Sequence, residues 1–296
     1  METLKAAQTC ADDRLMFGTF STKTAHTFKS SIKTFVKRTG AEMVTDITPE
    51  LIRSFLIEGK GRNNWKANTQ VNYYKYLKNL LVWCKDDNRI NSNPLDNIPR
   101  PKLKKILPRR LSEKDAFKVM DTAINYNWTY RFEKKRNPTI IATLLYSGLR
   151  ISELLNLTVS DVDLDENNIL VRNAKFGKDR HVPICPKLHT VLTSYVAYRD
   201  KFKKTSTSFF CSAQTNKKLT YKAITRIFKK IRAKSSVYCS PHMLRHTFAS
   251  IAVECGLPLA TLQKIMGHTT IEATMVYVEI SHKSRKEALN KIEWPY

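Results

Sequence analysis

The stretch "LLYSGLRISELLNL", residues 144–157, breaks an apolar helix at a glycine and restarts it one residue after an arginine. Arg150 stands at the junction behind Gly148, and Glu153 follows three positions later. Both are hemmed by Leu149, Ile151, Leu154 and Leu155. An exposed Arg–Glu pair at this spacing is an ordinary surface ion pair of less than about 1 kcal/mol. Surrounded by leucines, the pair reads as part-buried. A buried guanidinium needs a carboxylate or a bound anion, and its planar fork suits a phosphate.

A second stretch repeats the theme. "SPHMLRHTFAS", residues 240–250, sets His242 and Arg245 on one helical face and adds His246. His242 and His246 have the i, i+4 spacing of a zinc pair, but position 243 is Met, so the general-base Glu of that motif is missing. Two core histidines beside a surface arginine are the plain alternative. Further on, "MGHTTIEATMVY", residues 266–277, brings His268 after Gly267 and closes on Tyr277. A free tyrosine is almost wholly protonated at neutral pH, so nucleophilic use demands a nearby base and positive charge. Two arginines and two histidines around one phosphate would supply both.

Charge points the same way. The 296 residues carry 51 Lys+Arg against 26 Asp+Glu, a formal net charge of +25. That surplus calls for a large anionic partner, nucleic acid first. At 42% hydrophobic residues the chain reads as globular, with length for two domains. No apolar run approaches the ~18 residues of a membrane span, and the N-terminus has no signal-peptide pattern. Six scattered cysteines without a C-x-x-C pair read as reduced thiols. The expected location is cytoplasmic, associated with the nucleoid.

The organisation follows from periodicity and punctuation. Residues 1–12 read as an N-terminal tail. Residues 13–92 read as a small helical domain: Ala25, Phe28, Ile32, Phe35 and Val36 share a face ending at Gly40. Thr48-Pro49 opens a second helix, and Val71, Tyr74, Leu77, Leu81 and Cys84 line a third. Lys75 projects from the outer face of that third helix. Residues 93–111, "NPLDNIPRPKLKKILPRRL", read as an extended basic linker held open by four prolines. Its cations, Arg100, Lys102, Lys104, Lys105, Arg109 and Arg110, suit a phosphate backbone. Residues 112–296 form the second domain, mainly helical, with a strand–turn–strand at 168–184 and a short C-terminal helix. "DVDLDENN", residues 161–168, opens like a calcium loop, but Glu166 and Arg172 stand where Gly and Glu are needed.

Taken in order, S-G-L-R-I-S-E-L-L, H-M-L-R-H-T-F-A, M-G-H and Tyr277 resemble the boxes of the tyrosine recombinase family, which includes phage integrases and Xer-type site-specific recombinases. The resemblance covers about residues 13–285. It implies a mainly α fold: a helical core-binding domain joined to an α+β catalytic domain with a small β-sheet, forming a C-shaped clamp on DNA. It also implies roles: Arg150 and Arg245 grip the phosphate, with His242 and His268 beside them. Glu153 buttresses the first arginine, and Tyr277 is the nucleophile. Lys175 matches the hairpin lysine that protonates the leaving oxygen, although Ala174 and Phe176 replace the glycines usual there and leave Lys178 as the alternative.

The activity implied is cleavage and rejoining of duplex DNA through a 3′-phosphotyrosyl intermediate, with no cofactor and no metal. The implied partner is duplex DNA with paired inverted half-sites, bound by a homotetramer or by this chain with a related recombinase; no membrane is involved. Rival readings are a type IB topoisomerase-like relaxing activity and a non-catalytic DNA-binding regulator.

Overall fold

The computed structural model describes residues 1–103, 107–172 and 179–280, with residues 279 and 280 described by their backbone alone. It divides into two units, Met1–Lys105 and Ile106–Tyr296, each with its own core.

The first unit has four helices: α1 (Thr3–Met16), α2 (Thr22–Thr39), α3 (Pro49–Lys60) and α4 (Ala67–Asp86). The expected start and stop signals operate. Ser21 caps α2, and Gly40 ends it at φ 72°. Thr48 accepts the Leu51 N–H at 3.2 Å ahead of Pro49. Phe28, Ile32 and Phe35 of α2 meet Ile52 and Phe55 of α3 and Leu77, Leu80 and Leu81 of α4.

Residues 1–12 correct the sequence reading. They are not a tail, because most of them belong to α1, which packs on α2 through Ala6, Ala7, Cys10 and Ala11. Trp83 ties α1 down by donating its indole N–H to Asp13 at 2.8 Å. The buried side of α1 is built of small residues, so it lacks the large aliphatic stripe that sequence periodicity detects. The linker is also shorter than 93–111. Leu95 and Ile98 are buried in the first unit, and the Tyr74 hydroxyl donates to the Ile98 carbonyl at 2.9 Å. Leu111 belongs to the core of the second unit.

The second unit is built on α6 (Glu133–Ser147), a buried helix packed against α5 (Glu113–Asn125), α8 (Pro186–Lys201) and α10 (Pro241–Glu254). Between α6 and α8 come α7 (Ile151–Asn156) and an antiparallel sheet in the order β1 (Val162–Asp163), β2 (Asn168–Val171), β3 (Arg180–Pro183). The β2–β3 register pairs Ile169 with Val182 and Val171 with Arg180. The aspartates at 161 and 163 are structural: Asp161 accepts from the Thr158 backbone N–H at 2.9 Å and pairs with Arg172. The chain continues through α9 (Tyr221–Ser235), α10, α11 (Leu259–Met266) and α12 (Glu272–Ile280). No helix among the described residues is long and apolar enough to cross a membrane.

Candidate active site

Five chain segments converge at the C-terminal end of α11. The first is the α6–α7 junction. Gly148 closes α6 at φ 64°, and a Cβ built there would sit 2.4 Å from the Phe248 ring, so only glycine fits. The sharp reversal turns Leu149 into the core and puts Arg150 just ahead of α7. Glu153, one turn into α7, accepts the Arg150 backbone N–H at 2.8 Å and the Arg150 Nη1 at 2.8 Å.

The second segment is α10, capped by Ser240, which accepts the Met243 N–H at 3.2 Å. It carries His242 in its first turn and Arg245 and His246 in the next. Arg245 is 3% exposed and donates to the carbonyls of Gly148 at 2.5 Å and Met266 at 2.7 Å. The third segment is the end of α11, where Gly267 at φ 63° reverses the chain toward His268. The fourth is β3, which begins with Arg180. Its guanidinium forks onto Glu153 at 2.9 and 2.8 Å and donates from Nε to the Ile265 carbonyl at 2.8 Å.

Arg180, Arg245 and Arg150 therefore hold three consecutive carbonyls, those of Ile265, Met266 and Gly267, the last at 2.9 Å. The last carbonyls of a helix have no partner of their own and lie at the negative end of its dipole. Three cations gathered there satisfy the carbonyls and fix the M-G-H turn against both other boxes.

The fifth segment, α12, supplies Tyr277, which is 2% exposed. Its hydroxyl lies 2.8 Å from His246 Nδ1. The His268 ring lies parallel to the phenol, with centroids 6.3 Å apart and planes 13° apart. His268 Nδ1 is in turn 2.9 Å from the Thr274 hydroxyl. His242 meets His246 edge-on at 4.2 Å between centroids.

The electrostatics are those of a site tuned for an anion. Burial alone would raise the Glu153 carboxyl, yet Arg180 and Arg150 hold it down at about 2. Burial and the neighbouring Arg150 lower Arg245 to about 10, which leaves it charged at neutral pH. Burial, with His242 and Arg245, brings His246 to about 4. Burial, with Arg245, Arg150 and Arg180, does the same to His268. His242 is lowered by burial, Arg245 and Arg150. Burial raises Tyr277, while Arg245 and Arg150 pull it back. The imidazoles are thus neutral and the arginines charged, with one phenol among them. A phosphate oxygen could take the guanidinium and imidazole N–H groups while the phenol faces the phosphorus.

Arg150, Glu153, Arg245, His268 and Tyr277 are thus brought together, with His242 behind His246. Lys175 and its alternative Lys178 lie outside the described residues, as do Lys104, Lys105 and the C-terminal helix. Lys75, Arg100, Lys102 and Arg109 are exposed. Arg110 differs from a free strap cation, because it pairs with Glu254 at 2.7 Å.

Three residues escaped assignment from sequence. His246 was legible in its box but indistinguishable from a core histidine. Arg180 closes the hairpin pattern two residues past Lys178, and nothing local reveals its carboxylate. Thr274 carries no sequence signal. An apolar groove of about 760 Å³ on α5, α6 and α10 includes none of the clustered side chains.

Comparison with known proteins gives a consistent picture. The Phage integrase family model matches residues 109–284. Tyrosine recombinase XerA of Pyrococcus furiosus is 32% identical over 197 residues, covering 66% of this chain and 66% of that protein's length. Tyrosine recombinase XerC of Thermodesulfovibrio yellowstonii is 28% identical over 281 residues, covering 92% of this chain and 90% of that one. Among solved structures, the XerH site-specific recombinase bound to palindromic difH substrate shares the fold, with a TM-score of 0.74 at 20% identity, covering 90% of this chain and 79% of that one.

Proposed function

The chain belongs to the phage integrase family of tyrosine recombinases, and we propose that it is a site-specific recombinase that cuts and rejoins duplex DNA through a 3′-phosphotyrosyl bond at Tyr277. The observation that carries this reading is the buried phenol of Tyr277, 2.8 Å from an imidazole nitrogen and beside two charged arginines.

The step balances without an energy source. The Tyr277 oxygen bonds to phosphorus as the P–O5′ bond breaks, and the phosphodiester count is unchanged. The phenolic proton passes to His246, with His242 packed behind it. Arg150, Arg245 and His268 meet the negative charge that grows on the non-bridging oxygens. One such pre-placed donor contributes about 3 to 4 kcal/mol in comparable sites. The departing 5′ oxygen takes a proton from a general acid, the role the family resemblance gives to Lys175. A 5′-hydroxyl from a second duplex then attacks the phosphotyrosine and reverses the chemistry onto a new partner.

The arriving phosphate also corrects the protonation of the site. Its negative charge opposes the surrounding arginines and raises His246 toward the range in which it can hold a proton.

DNA with paired inverted half-sites is the proposed substrate, held by four copies of this chain or by this chain with a related recombinase, in the cytoplasm. The exposed cations Lys75, Arg100, Lys102 and Arg109 fit phosphate contacts outside the reacting centre. To test this, the protein is incubated in EDTA with a randomised library of nicked duplexes, and DNA that stays attached in denaturant is sequenced. Covalent capture that enriches two inverted half-sites supports the reading; no covalent capture, or capture without sequence preference, contradicts it.

A further inference from the structure

Thr274 is fully buried, and its hydroxyl lies 2.9 Å from Nδ1 of His268. Helical threonines in this protein usually return the hydroxyl to the carbonyl four residues back, as Thr139, Thr143 and Thr247 do at 2.8 Å. Thr274 instead sits in the first turn of α12 and turns its hydroxyl to the histidine that follows Gly267. Tyr277 is three residues further on, so the helical face that carries the phenol also carries this hydroxyl. The histidine it contacts lies parallel to the phenol of Tyr277.

A neutral imidazole has a single N–H, and the partner of one nitrogen decides what the other offers. If Nδ1 donated to Thr274, Nε2 would present a lone pair and repel a phosphate oxygen. If Thr274 donates to Nδ1, Nε2 carries the hydrogen. We propose that Thr274 is a positioning residue that donates its hydroxyl hydrogen to Nδ1 of His268, fixing the Nε2–H tautomer so that His268 presents a donor to the scissile phosphate. This rests on the recombinase reading for its purpose, but not for its geometry. Burial and the surrounding arginines keep His268 neutral, so the tautomer, rather than the charge, sets what this ring can do.

The test compares Thr274→Val, which keeps the shape and removes the hydroxyl, with Thr274→Ser, which restores it. In the full chain labelled with 15N-histidine, His268, assigned by its loss in His268→Asn, is expected to show a protonated Nε2 and a bare Nδ1. The Ser variant keeps that pattern and the Val variant loses it. Single-turnover cleavage of captured DNA should fall roughly tenfold or more in Val, as for other outer partners of a functional imidazole, and stay within about threefold of wild type in Ser, with DNA affinity unchanged in both. A protonated Nδ1 in the wild type, or a Val variant with wild-type tautomer and rate, overturns the proposal. A wild-type chain that makes no DNA adduct overturns the recombinase reading, while the nitrogen resonances still decide the tautomer.

Discussion

Tyr277 and His246 share a hydrogen bond, phenolic oxygen to Nδ1 at 2.8 Å, across the interface between α12 and α10. In the proposed reaction it sets a base beside the nucleophile before DNA arrives. In that reaction the contact also favours His246, the histidine after Arg245, over His242 as the acceptor of the phenolic proton.

His246→Ala is therefore expected to slow covalent adduct formation by about 100- to 10,000-fold, the usual range for a general base. His242→Ala should cost less, because the His242 ring packs on His246, with centroids 4.2 Å apart, while it is His246 that touches the phenol. Single-turnover cleavage at saturating DNA checks the order, and a larger loss for His242→Ala would return the proton to that residue.

Acid should loosen the second unit in two stages. His246 and His268 lie at about 4 in the folded chain, against 6.5 for a free imidazole. The unfolded chain thus binds protons first, and stability falls as pH drops from about 6.5 toward 4. Glu153, held at about 2 against 4.5, extends the loss below that window. Thermal midpoints from pH 7.5 to 4 should decline in the wild type and flatten in a His246→Gln, His268→Gln double variant. Parallel slopes for the two would contradict the assignment.

Glu153 is the shared counter-charge of Arg150 and Arg180. Glu153→Ala would strand Arg180, whose side chain is 10% exposed, without its carboxylate. The expected cost is about 3 to 5 kcal/mol in denaturant unfolding, the range for breaking a buried ion pair from one side. A change under about 1 kcal/mol would show that the arginines are held without it.

Gly148→Ala places a methyl group in the left-handed region and 2.4 Å from the Phe248 ring. The strain and overpacking together should cost about 2 kcal/mol or more. Cleavage should fall further than stability explains, because the turn it distorts aims Arg150 and offers the carbonyl that Arg245 grips. Wild-type cleavage by a destabilised Gly148→Ala variant would detach the turn from the chemistry.

Most of this site is legible in the sequence because its parts lie in short boxes with local punctuation. Gly148 before Arg150, Ser240-Pro241 before α10 and Gly267 before His268 each mark a helix end, and the functional residues sit at those ends. What sequence hides is contact between boxes. Glu153 suggests a salt bridge to Arg150, but its fork to Arg180 depends on where β3 starts. The carbonyls at 265–267 are invisible in any pattern of side chains. Helix α1 is hidden for a different reason, since its interface is made of alanine, cysteine and threonine. The linker is shorter than its prolines and cations suggest, because Leu95 and Ile98 are buried against the helices of the first unit and follow no repeat of their own.

In the proposed reaction Tyr277 itself becomes bonded to DNA. Captured protein–DNA adduct, digested with trypsin and nuclease and read by tandem mass spectrometry, should place a 3′-linked nucleotide phosphate on Tyr277 and none on any other residue, and Tyr277→Phe should bind the same DNA and yield no adduct. A nucleotide on a different side chain, or an adduct formed by Tyr277→Phe, would contradict the account.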